Sequence, residues 1–313
     1  MQHQPVLLRE VSTFLQPERG GLFVDCTVGL GGHAEAILGA SPEVRVLGVD
    51  RDPQALELAR DRLEPFGSRV RLVEADFADL PDVLERLGEG LATGVLADLG
   101  VSSLQLDSPE RGFSFRRNGP LDMRMGNQGP TAADVVNTYS EEALRDIFWQ
   151  YGDERQARRI ARALAREREN QPLETTGDLK RVVYRAKSSP GRSGRRPGRR
   201  EGRVDPATRV FQALRIEVNR ELSRLQTLLD EVVKLIDAEG RLVVISYHSL
   251  EDRLVKNSLR RLARGKIDEI TGRTHSETRV LEVLTKKPVR PSAEEIAINP
   301  RSRSARLRAA RRL

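Results

Sequence analysis

The stretch LFVDCTVGLGGH, residues 22–33, decides the fold. Its first half is apolar and reaches an acid, which predicts a short buried strand over residues 22–26. The glycines that follow let the backbone turn tightly into a helix, which is predicted over about residues 33–40. A strand, a glycine-rich turn and a helix in this order are typical of a doubly wound α/β fold that binds an adenosine-containing cofactor.

The alternation of strand and helix continues for about seventy residues beyond this stretch. Apolar runs predict further strands over residues 44–49, 70–73 and 94–98. Between the first two of these, Asp52 and Pro53 suit the N-cap and the first position of a helix. Because strands that alternate with helices imply right-handed crossovers, the sequence predicts a Rossmann-like sheet of parallel strands.

After residue 104 the pattern changes to glycine- and proline-rich loops, helical periodicity and an arginine-rich linker. One long amphipathic helix is then predicted from Pro206 to about Ala238, where Gly240 ends it. Residues 241–247 are as apolar as the first strands, which predicts that the sheet resumes there.

The sequence therefore predicts an α/β fold that is interrupted once. Residues 1–104 and 209–313 form the Rossmann-like, doubly wound domain, and residues 105–208 form an inserted, mainly helical domain. Neither part contains an internal repeat.

Positive charge is concentrated in two places along a chain whose formal net charge is +7. Residues 181–203 carry nine Lys or Arg and one acid, and residues 299–313 carry six Arg and no acid. Two such clusters predict a surface that binds the phosphate groups of a nucleic acid. The alternative is that both are solvated, arginine-rich segments without a partner.

Acidic residues lie at the ends of four successive predicted strands, where open α/β sheets bind their ligands. Asp50 is placed to accept hydrogen bonds from both hydroxyls of a ribose. Asp76 precedes Phe77, so that an acid and an aromatic ring can hold an adenine. Each acid alone is equally well explained as a helix cap, whereas the four together (Asp25, Asp50, Asp76 and Asp98) favour a ligand site.

The glycine pattern alone does not identify the cofactor. Gly29, Gly31 and Ala34 have the spacing of a dinucleotide-binding turn, which leaves NAD and an oxidoreductase open. Asp25 lies four residues before the first glycine, where it can face the amino group of S-adenosylmethionine. Asp98 lies where a methyltransferase receives its substrate. The sequence therefore favours S-adenosylmethionine.

Several longer stretches resemble the RsmH (MraW) family of small-subunit ribosomal RNA methyltransferases. The similarity covers essentially the whole chain, and the motifs are long and unusual. Together with residues 25–33 they are HQPVLLREV (3–11), DLGVSSLQLD (98–107), RGFSF (111–115), GPLDMRM (119–125), FQALRI (211–216), SYHSLEDR (246–253) and NPRSRSARLR (299–308).

The resemblance implies methylation of the N4 amine of a cytidine in the decoding centre of 16S ribosomal RNA, with S-adenosylmethionine as the methyl donor. It also implies that the helical insert helps to engage the RNA or the assembled small subunit. The chain departs from the family in residues 190–203, which are more basic than usual. The cofactor contacts that the resemblance implies are Gly31, Gly32, His33, Asp50, Phe77, Asp98 and Gln105.

The acid at the end of the fourth strand is the candidate for the chemistry. Familiar amino-methyltransferases carry Asp/Asn/Ser-Pro-Pro-aromatic there, whereas this chain has Asp-Leu-Gly-Val, so only the acid is retained. Asp98 is predicted to lie beside the transferred methyl group, and Ser102 or Ser103 is predicted to contact the target base. The base is predicted to stack on Tyr247, or on Phe113 and Phe115 of the insert.

His248 has both a chemical and a structural interpretation, whereas His33 and Trp149 are given structural ones. His248 is a candidate general base, and the alternative is a hydrogen bond that fixes the loop after the fifth strand. His33 is predicted to cap the first helix beside the cofactor. Trp149 is predicted to lie in the core of the insert. No His, Asp and Glu residues have the spacing of metal ligands, so no metal is expected.

Composition excludes several classes of protein. Cys26 is the single cysteine, which excludes an intramolecular disulfide and a multi-cysteine zinc site. No apolar stretch approaches the roughly 20 residues that span a bilayer, and the first residues lack the pattern of a signal peptide, so a cytoplasmic protein without membrane contact is expected. Monomer and dimer stay open. Two further alternatives also stay open: a non-catalytic ribosome-assembly factor, and an amino-methyltransferase that acts on another nucleic acid.

Overall fold

The computed structural model describes residues 5–188, 205–267 and 274–313. The chain divides into two compact units. The first comprises Met1–Gly100 and Leu222–Leu313, and the second comprises Val101–Glu221. The sequence analysis drew the limits of the insert at residues 105 and 208, so the second unit is larger at both ends.

The first unit is built on a seven-stranded sheet in the order β3-β2-β1-β4-β5-β9-β8. Strands β1 to β5 are parallel, and β9 alone runs antiparallel to both of its neighbours. The predicted α/β, Rossmann-like fold is thereby confirmed. The strands of the sheet are β1 (Gly21–Asp25), β2 (Val44–Asp50), β3 (Val70–Glu74), β4 (Ala92–Asp98), β5 (Ile236–Ser246), β8 (Leu281–Val283) and β9 (Arg306–Arg312), and a small hairpin consists of β6 (Lys266–Ile267) and β7 (Thr274–His275).

Helices cover both faces of this sheet because its strands are apolar on both sides. Along β1, Leu22 and Val24 enter one hydrophobic cluster with α4, α11 and α12, whereas Phe23 enters the other cluster with α1, α2 and α3. Asp52 accepts a hydrogen bond from the Gln54 backbone and caps α3, as predicted. The helices of this unit are α1 (Leu8–Leu15), α2 (Gly32–Ala40), α3 (Pro53–Leu63), α4 (Leu80–Leu87), α11 (Glu221–Leu235, whose first residue belongs to the second unit), α12 (Ser249–Arg264) and α13 (Ala293–Ile298).

Most arginines of residues 299–313 lie on a strand inside the sheet, and two of those predicted to bind phosphate, Arg308 and Arg311, are instead paired with acids. Strand β9 lies between β5 and β8. Arg308 is buried and its Nε lies 2.7 Å from Asp252 Oδ1, while Arg311 binds Glu282 and Glu239. Both arginines therefore neutralise acids of neighbouring elements, and the buried charge of Arg308 is tolerated because it is paired.

The second unit is helical and has its own hydrophobic core. Phe113 is buried in this core, and Phe115 packs edge-on against Phe211 with 4.8 Å between ring centroids, so neither phenylalanine is a free stacking surface. Trp149 is 57% exposed, and its predicted place in the core is wrong because it lies on the solvent side of its helix. The helices are α5 (Ser103–Asp107), α6 (Ala132–Thr138), α7 (Glu141–Gln150), α8 (Ala157–Asn170), α9 (Thr176–Lys187) and α10 (Thr208–Asn219).

The single long helix predicted from Pro206 to Ala238 is two helices, α10 and α11. Arg220 adopts a left-handed backbone conformation with φ of 50°, and its N–H caps the end of α10 by bonding to the carbonyls of Ile216 and Glu217. Gly240 ends no helix, since it lies inside β5. A left-handed non-glycine residue is rare, and no residue pattern in this stretch indicates the break.

The predicted basic linker, residues 188–204, lies outside the described residues except for Ser188, and so does most of the first basic cluster. Among the helices that are described, none combines the length and the apolar character needed to span a membrane.

Candidate active site

The glycine-rich turn lies between β1 and α2, at the carboxyl edge of the sheet. Gly29 and Gly31 both have positive φ, 50° and 77°, and Gly31 is the N-cap of α2. A Cβ on Gly31 would lie 3.2 Å from the Leu63 side chain, and a Cβ on Gly32 would lie 2.5 Å from Pro5 Cγ. These glycines therefore allow the turn to form and α2 to pack closely, as the glycines of such turns do.

Asp25 ends β1 beneath this turn and is 1% exposed. Its Oδ1 accepts a hydrogen bond from the Thr27 backbone N–H at 3.2 Å, whereas its Oδ2 has no partner among the described residues. Burial raises the pKa of this carboxyl to about 7, against the opposing effects of His33 and of the Thr27 N–H. A buried carboxylate oxygen without a donor is a site for a cationic or hydrogen-bonding ligand.

Asp50 ends β2 and is tied to the same turn. Its Oδ2 accepts from the Gly29 N–H at 2.8 Å, and its Oδ1 accepts from the Asp52 N–H at 2.9 Å. Burial raises the pKa of this carboxyl as well, and the backbone donors partly offset that rise. The Arg51 backbone N–H is a third donor to this carboxylate. A carboxylate has about four acceptor sites, so Asp50 is able to accept one further hydrogen bond from a ligand.

Asp98 ends β4 and meets residues from two other strand ends. Its backbone N–H donates to Thr27 Oγ1 at 2.7 Å, and its Oδ1 accepts from the Tyr247 hydroxyl at 2.9 Å. Its Oδ2 lies 3.6 Å from Nε2 of His33. The carboxyl ends of three strands, β1, β4 and β5, thus converge on this carboxylate.

Tyr247 holds the carboxylate of Asp98 as a proton donor. Burial of the phenol, and then the charge of Asp98, raise the pKa of Tyr247 well above its ordinary value. The hydroxyl therefore stays protonated at neutral pH, so Oδ1 of Asp98 remains occupied and Oδ2 is the oxygen left for another partner.

His33 does not cap α2 as predicted. The N-cap position is taken by Gly31, and His33 is the second residue of the helix, with 7% of its surface exposed. Neither ring nitrogen has a hydrogen-bond partner among the described residues. Together with Asp25 Oδ2, these nitrogens form a group of buried polar atoms that lack partners beside the glycine turn.

Asp76 and Phe77 follow β3, but the side chain of Asp76 already binds other residues of the protein. Its Oδ1 accepts from the Ala78 N–H at 2.9 Å, and its Oδ2 pairs with Arg51 at 3.2 Å and with Arg224. Phe77 is half-buried and packs on the adjoining hydrophobic cluster. The adenine contact predicted for this segment therefore depends on the ring of Phe77, since Asp76 caps a turn and binds arginines.

His248 has the structural role that was the alternative to a general base. It is the N-cap of α12, and its Nδ1 accepts from the Glu251 N–H at 3.4 Å. The Glu251 carboxylate in turn accepts from the backbone N–H of Tyr247 at 2.8 Å and of His248 at 3.2 Å. This reciprocal capping holds the loop that carries Tyr247.

Ser102 and Gln105 belong to the second unit, where they cap the short helix α5. Ser102 Oγ accepts from the Gln105 N–H at 3.2 Å, and Gln105 Oε1 accepts from the Ser102 N–H at 3.1 Å. Both residues therefore stabilise a helix start. Their predicted contacts with the base and the cofactor stay predictions.

Three residues that shape this site were not predicted from the sequence: Thr27, Gly100 and Glu251. Gly100 has φ of 99°, and a Cβ there would lie 3.3 Å from the Tyr247 ring. For Glu251 a signal existed, since it follows His248 by three residues in the spacing of a capping box. Thr27 and Gly100 contact residues that are distant in sequence, so no local pattern marks them.

A seven-stranded sheet with one reversed strand, a glycine turn after β1 and acids at the ends of β1, β2 and β4 define a Rossmann-like methyltransferase. The chain belongs to the MraW methylase family, which matches it over residues 1–313. The resemblance found in the sequence is thus confirmed.

Full-length relatives are closely similar to this chain. The protein named ribosomal RNA small subunit methyltransferase H in Cyanothece sp. is 50% identical over 312 residues, which cover 99% of this chain and 95% of the relative. The protein of that name in Trichodesmium erythraeum is 47% identical and covers 100% of both chains. Among solved structures, an rRNA methylase from Streptococcus thermophilus is 11% identical with a TM-score of 0.45, covering 100% of this chain and 99% of that one.

Proposed function

We propose that the protein transfers a methyl group from S-adenosylmethionine to the N4 amine of a cytidine in 16S ribosomal RNA of the small subunit. Its family and the names of its full-length relatives support a methyltransferase acting on that RNA. The observation that carries the proposal is Asp98, whose Oδ1 is held by Tyr247 while its Oδ2 keeps a lone pair for a substrate amine.

The residues around the glycine turn fit S-adenosylmethionine. Oδ2 of Asp25 lacks a donor, which suits the amino group of the cofactor. Asp50 keeps an acceptor site for a ribose hydroxyl, and the half-buried ring of Phe77 suits the adenine. Membership of a methylase family favours this cofactor over NAD. When bound, it supplies an electrophilic methyl group.

The first prediction concerns the pH dependence of cofactor binding. The pKa of Asp25 is about 7 in the free protein, so the carboxyl is neutral below that pH and charged above it. Because a cationic amino group requires the carboxylate, we expect the affinity for S-adenosylmethionine to fall about tenfold per pH unit below pH 7 and to level off above it. Isothermal titration calorimetry in buffers of different ionisation enthalpy measures both the affinity and the protons released.

Substitution of Asp25 by Asn removes this dependence. Because the pKa of Asp25 is raised in the folded protein, the ligand-free wild type loses stability as the pH rises from about 4 through 7. We expect the melting temperature of Asp25→Asn to lack this decrease with pH. Asp61→Asn, at an exposed position of α3, is the matched control and keeps the wild-type profile. An unchanged binding profile in Asp25→Asn contradicts the assignment of Asp25.

The chemistry required of the protein is to activate a poor nucleophile. The lone pair of a cytosine N4 amine is delocalised into the ring, so a hydrogen bond from the amine to a carboxylate helps to localise it on nitrogen. Asp98 Oδ2 is the acceptor we assign to that hydrogen bond. The carboxylate also orients the amine in line with the methyl group and receives the proton that the amine loses.

The second prediction tests Tyr247 as the residue that positions Asp98. Without the hydroxyl, Oδ1 of Asp98 is no longer held, so the carboxylate rotates away from the amine in part of the population. We expect Tyr247→Phe to lower kcat about tenfold, the size of one lost hydrogen bond to a charged group, with unchanged affinity for S-adenosylmethionine. Single-turnover transfer and calorimetry measure the two quantities.

The matched control is Tyr184→Phe in the second unit, which removes another tyrosine-to-aspartate hydrogen bond, from the Tyr184 hydroxyl to Asp205 at 2.6 Å. That variant keeps the wild-type kcat. Equal losses in the two variants, or a loss of cofactor affinity in Tyr247→Phe, contradict a positioning role.

We assign recognition of the RNA or of the assembled small subunit to the helical second unit, with Ser102 as a candidate contact to the base and Gln105 as a candidate contact to the cofactor. Unstacking the target base costs a few kcal/mol, and least in a strand that is not paired. We place the reaction in the cytoplasm, where small subunits are assembled.

The experiment that tests the proposed function uses small subunits that lack the modification. Purified protein is incubated with them and labelled S-adenosylmethionine, and the digested RNA is analysed by mass spectrometry. Label in N4-methylcytidine is the expected result. Cofactor binding without transfer to any nucleic acid favours an assembly factor, and label in DNA or transfer RNA redirects the substrate.

A further inference from the structure

The first unit contains a surface cavity of about 340 Å³ that the methyl-transfer site does not use. It lies between α12 and the segment that follows β8. Its volume is at the lower end of the roughly 300–1,000 Å³ typical of small-ligand pockets. The residues lining it are Lys256, Leu259, Arg260, Val283, Thr285, Lys286 and Arg308.

The rim of this cavity carries positive charge that no acid among the described residues neutralises. Lys256, Arg260 and Lys286 have no ion-pair or hydrogen-bond partner within the part of the chain that the structure describes. Arg308, deeper in the wall, is paired with Asp252 at 2.7 Å and contributes little net charge. Three cations therefore face the cavity, and no acid is among its lining residues.

This clustering of like charges does not favour folding. Lys256 and Arg260 are four residues apart on α12, and like charges at that spacing destabilise a helix by a few tenths of a kcal/mol. Their helical neighbour Arg261, by contrast, is paired with Asp230 at 2.5 Å. Repulsion that the protein retains at a concave surface indicates an anionic ligand there.

The floor of the cavity is apolar. Leu259 is buried, and Val283 is half-buried beside it. The hydroxyl of Thr285 accepts from the Ala309 N–H at 2.9 Å and so is satisfied within the protein. An apolar floor beneath three cations suits a group with a flat or weakly polar body and negative oxygens, as in a nucleotide with its phosphates.

We propose that this cavity binds a nucleotide of the substrate RNA outside the reacting base, with its phosphates on Lys256, Arg260 and Lys286. The inference rests on RNA being the substrate, as proposed above. At a rise of 1.5 Å per residue, Lys256 lies about 12 Å along α12 from His248, which caps the helix at the edge of the sheet where Tyr247 and Asp98 meet. The cavity is thus a second point of attachment within the methyltransferase unit.

The test compares two triple variants of the full chain. One is Lys256→Ala, Arg260→Ala and Lys286→Ala. The control is Arg9→Ala, Arg60→Ala and Arg86→Ala, which removes the same charge from three exposed arginines without described partners on α1, α3 and α4. Binding of a fluorescein-labelled single-stranded RNA of mixed sequence is measured by anisotropy over a range of salt concentrations.

Each phosphate contact to single-stranded RNA contributes about 0.7 to the slope of log affinity against log salt, so loss of three contacts lowers the slope by about 2. We expect this in the cavity variant and almost no change in the control. We also expect RNA containing 4-thiouridine to cross-link to peptides that include residues 256–260 or 283–286. Equal slopes in the two variants, or cross-links confined to other peptides, overturn the proposal.

Two further measurements separate this proposal from others. Binding to vesicles of equimolar phosphatidylglycerol and phosphatidylcholine is measured for both variants. If the cavity variant loses binding to these vesicles but keeps its binding to RNA, the cavity binds a lipid surface and the proposal is overturned. Methyl transfer to small subunits by the wild-type protein is measured in parallel. Absence of that transfer refutes the proposed function, whereas transfer by the wild type with no slope change in the cavity variant refutes the cavity alone.

Discussion

Replacement of Asp98 by Asn is expected to lower the rate of methyl transfer by about 10²–10⁴-fold, the contribution of a positioned proton acceptor. The amide has nearly the same shape, so the Asp98 backbone N–H keeps its bond to Thr27 Oγ1. Its oxygen no longer carries a charge, and it accepts a proton from the amine far less readily. Single-turnover transfer to unmodified small subunits measures the effect.

Two measurements distinguish a loss of chemistry in Asp98→Asn from a loss of cofactor binding or of charge. Affinity for S-adenosylmethionine is expected to change less than about tenfold, because only one hydrogen-bond acceptor is altered. Asp82→Asn, at an exposed position in the first turn of α4, is the matched control and keeps the wild-type rate. A rate for Asp98→Asn within about threefold of wild type contradicts the role of Asp98.

Removal of Asp252 is expected to destabilise the first unit strongly. Its carboxylate pairs with Arg308, whose side chain is 7% exposed, and lies 3.7 Å from Arg306. Asp252→Ala leaves a buried guanidinium without its partner, which costs about 3 kcal/mol. We expect the melting temperature to fall by about 6–12 °C. Differential scanning calorimetry measures it.

The control for this prediction is an ion pair of the same kind on the surface. Arg261 pairs with Asp230, and both side chains are largely exposed, 60% and 43%. Asp230→Ala therefore costs at most about 1 kcal/mol. The double variant Asp252→Leu with Arg308→Met removes both charges and is expected to recover most of the stability. Equal effects of Asp252→Ala and Asp230→Ala contradict a structural role for the buried pair.

Local sequence patterns were sufficient for the first half of the sheet. Contiguous residues indicate a strand, a glycine turn and a helix over residues 22–40. Apolar runs separated by capped helices follow them in the same way. Their spacing implies parallel strands, and parallel strands bring their carboxyl ends to one edge. The grouping of Asp25, Asp50 and Asp98 follows from that topology alone.

Features that depend on residues distant in sequence could not be predicted from local patterns. Arg220 divides a continuous amphipathic pattern into α10 and α11, and nothing nearby in sequence requires its left-handed backbone. Trp149 looked like a core residue because tryptophans are usually buried, whereas the orientation of α7 leaves it exposed. Helical periodicity states which residues share a face and leaves open which face meets the core.

The first four strands and the acids at their ends are properties of the sequence by itself, because hydrophobic periodicity and turn chemistry act between neighbouring residues. The tertiary structure alone decided what the arginines of β9 do. Their sequence resembles a phosphate-binding tail, but Asp252, Glu239 and Glu282 approach them from distant parts of the chain. Whether a charge is a ligand site or half of a buried pair depends on which opposite charge the fold brings within about 4 Å, and that distance is not encoded in any local pattern.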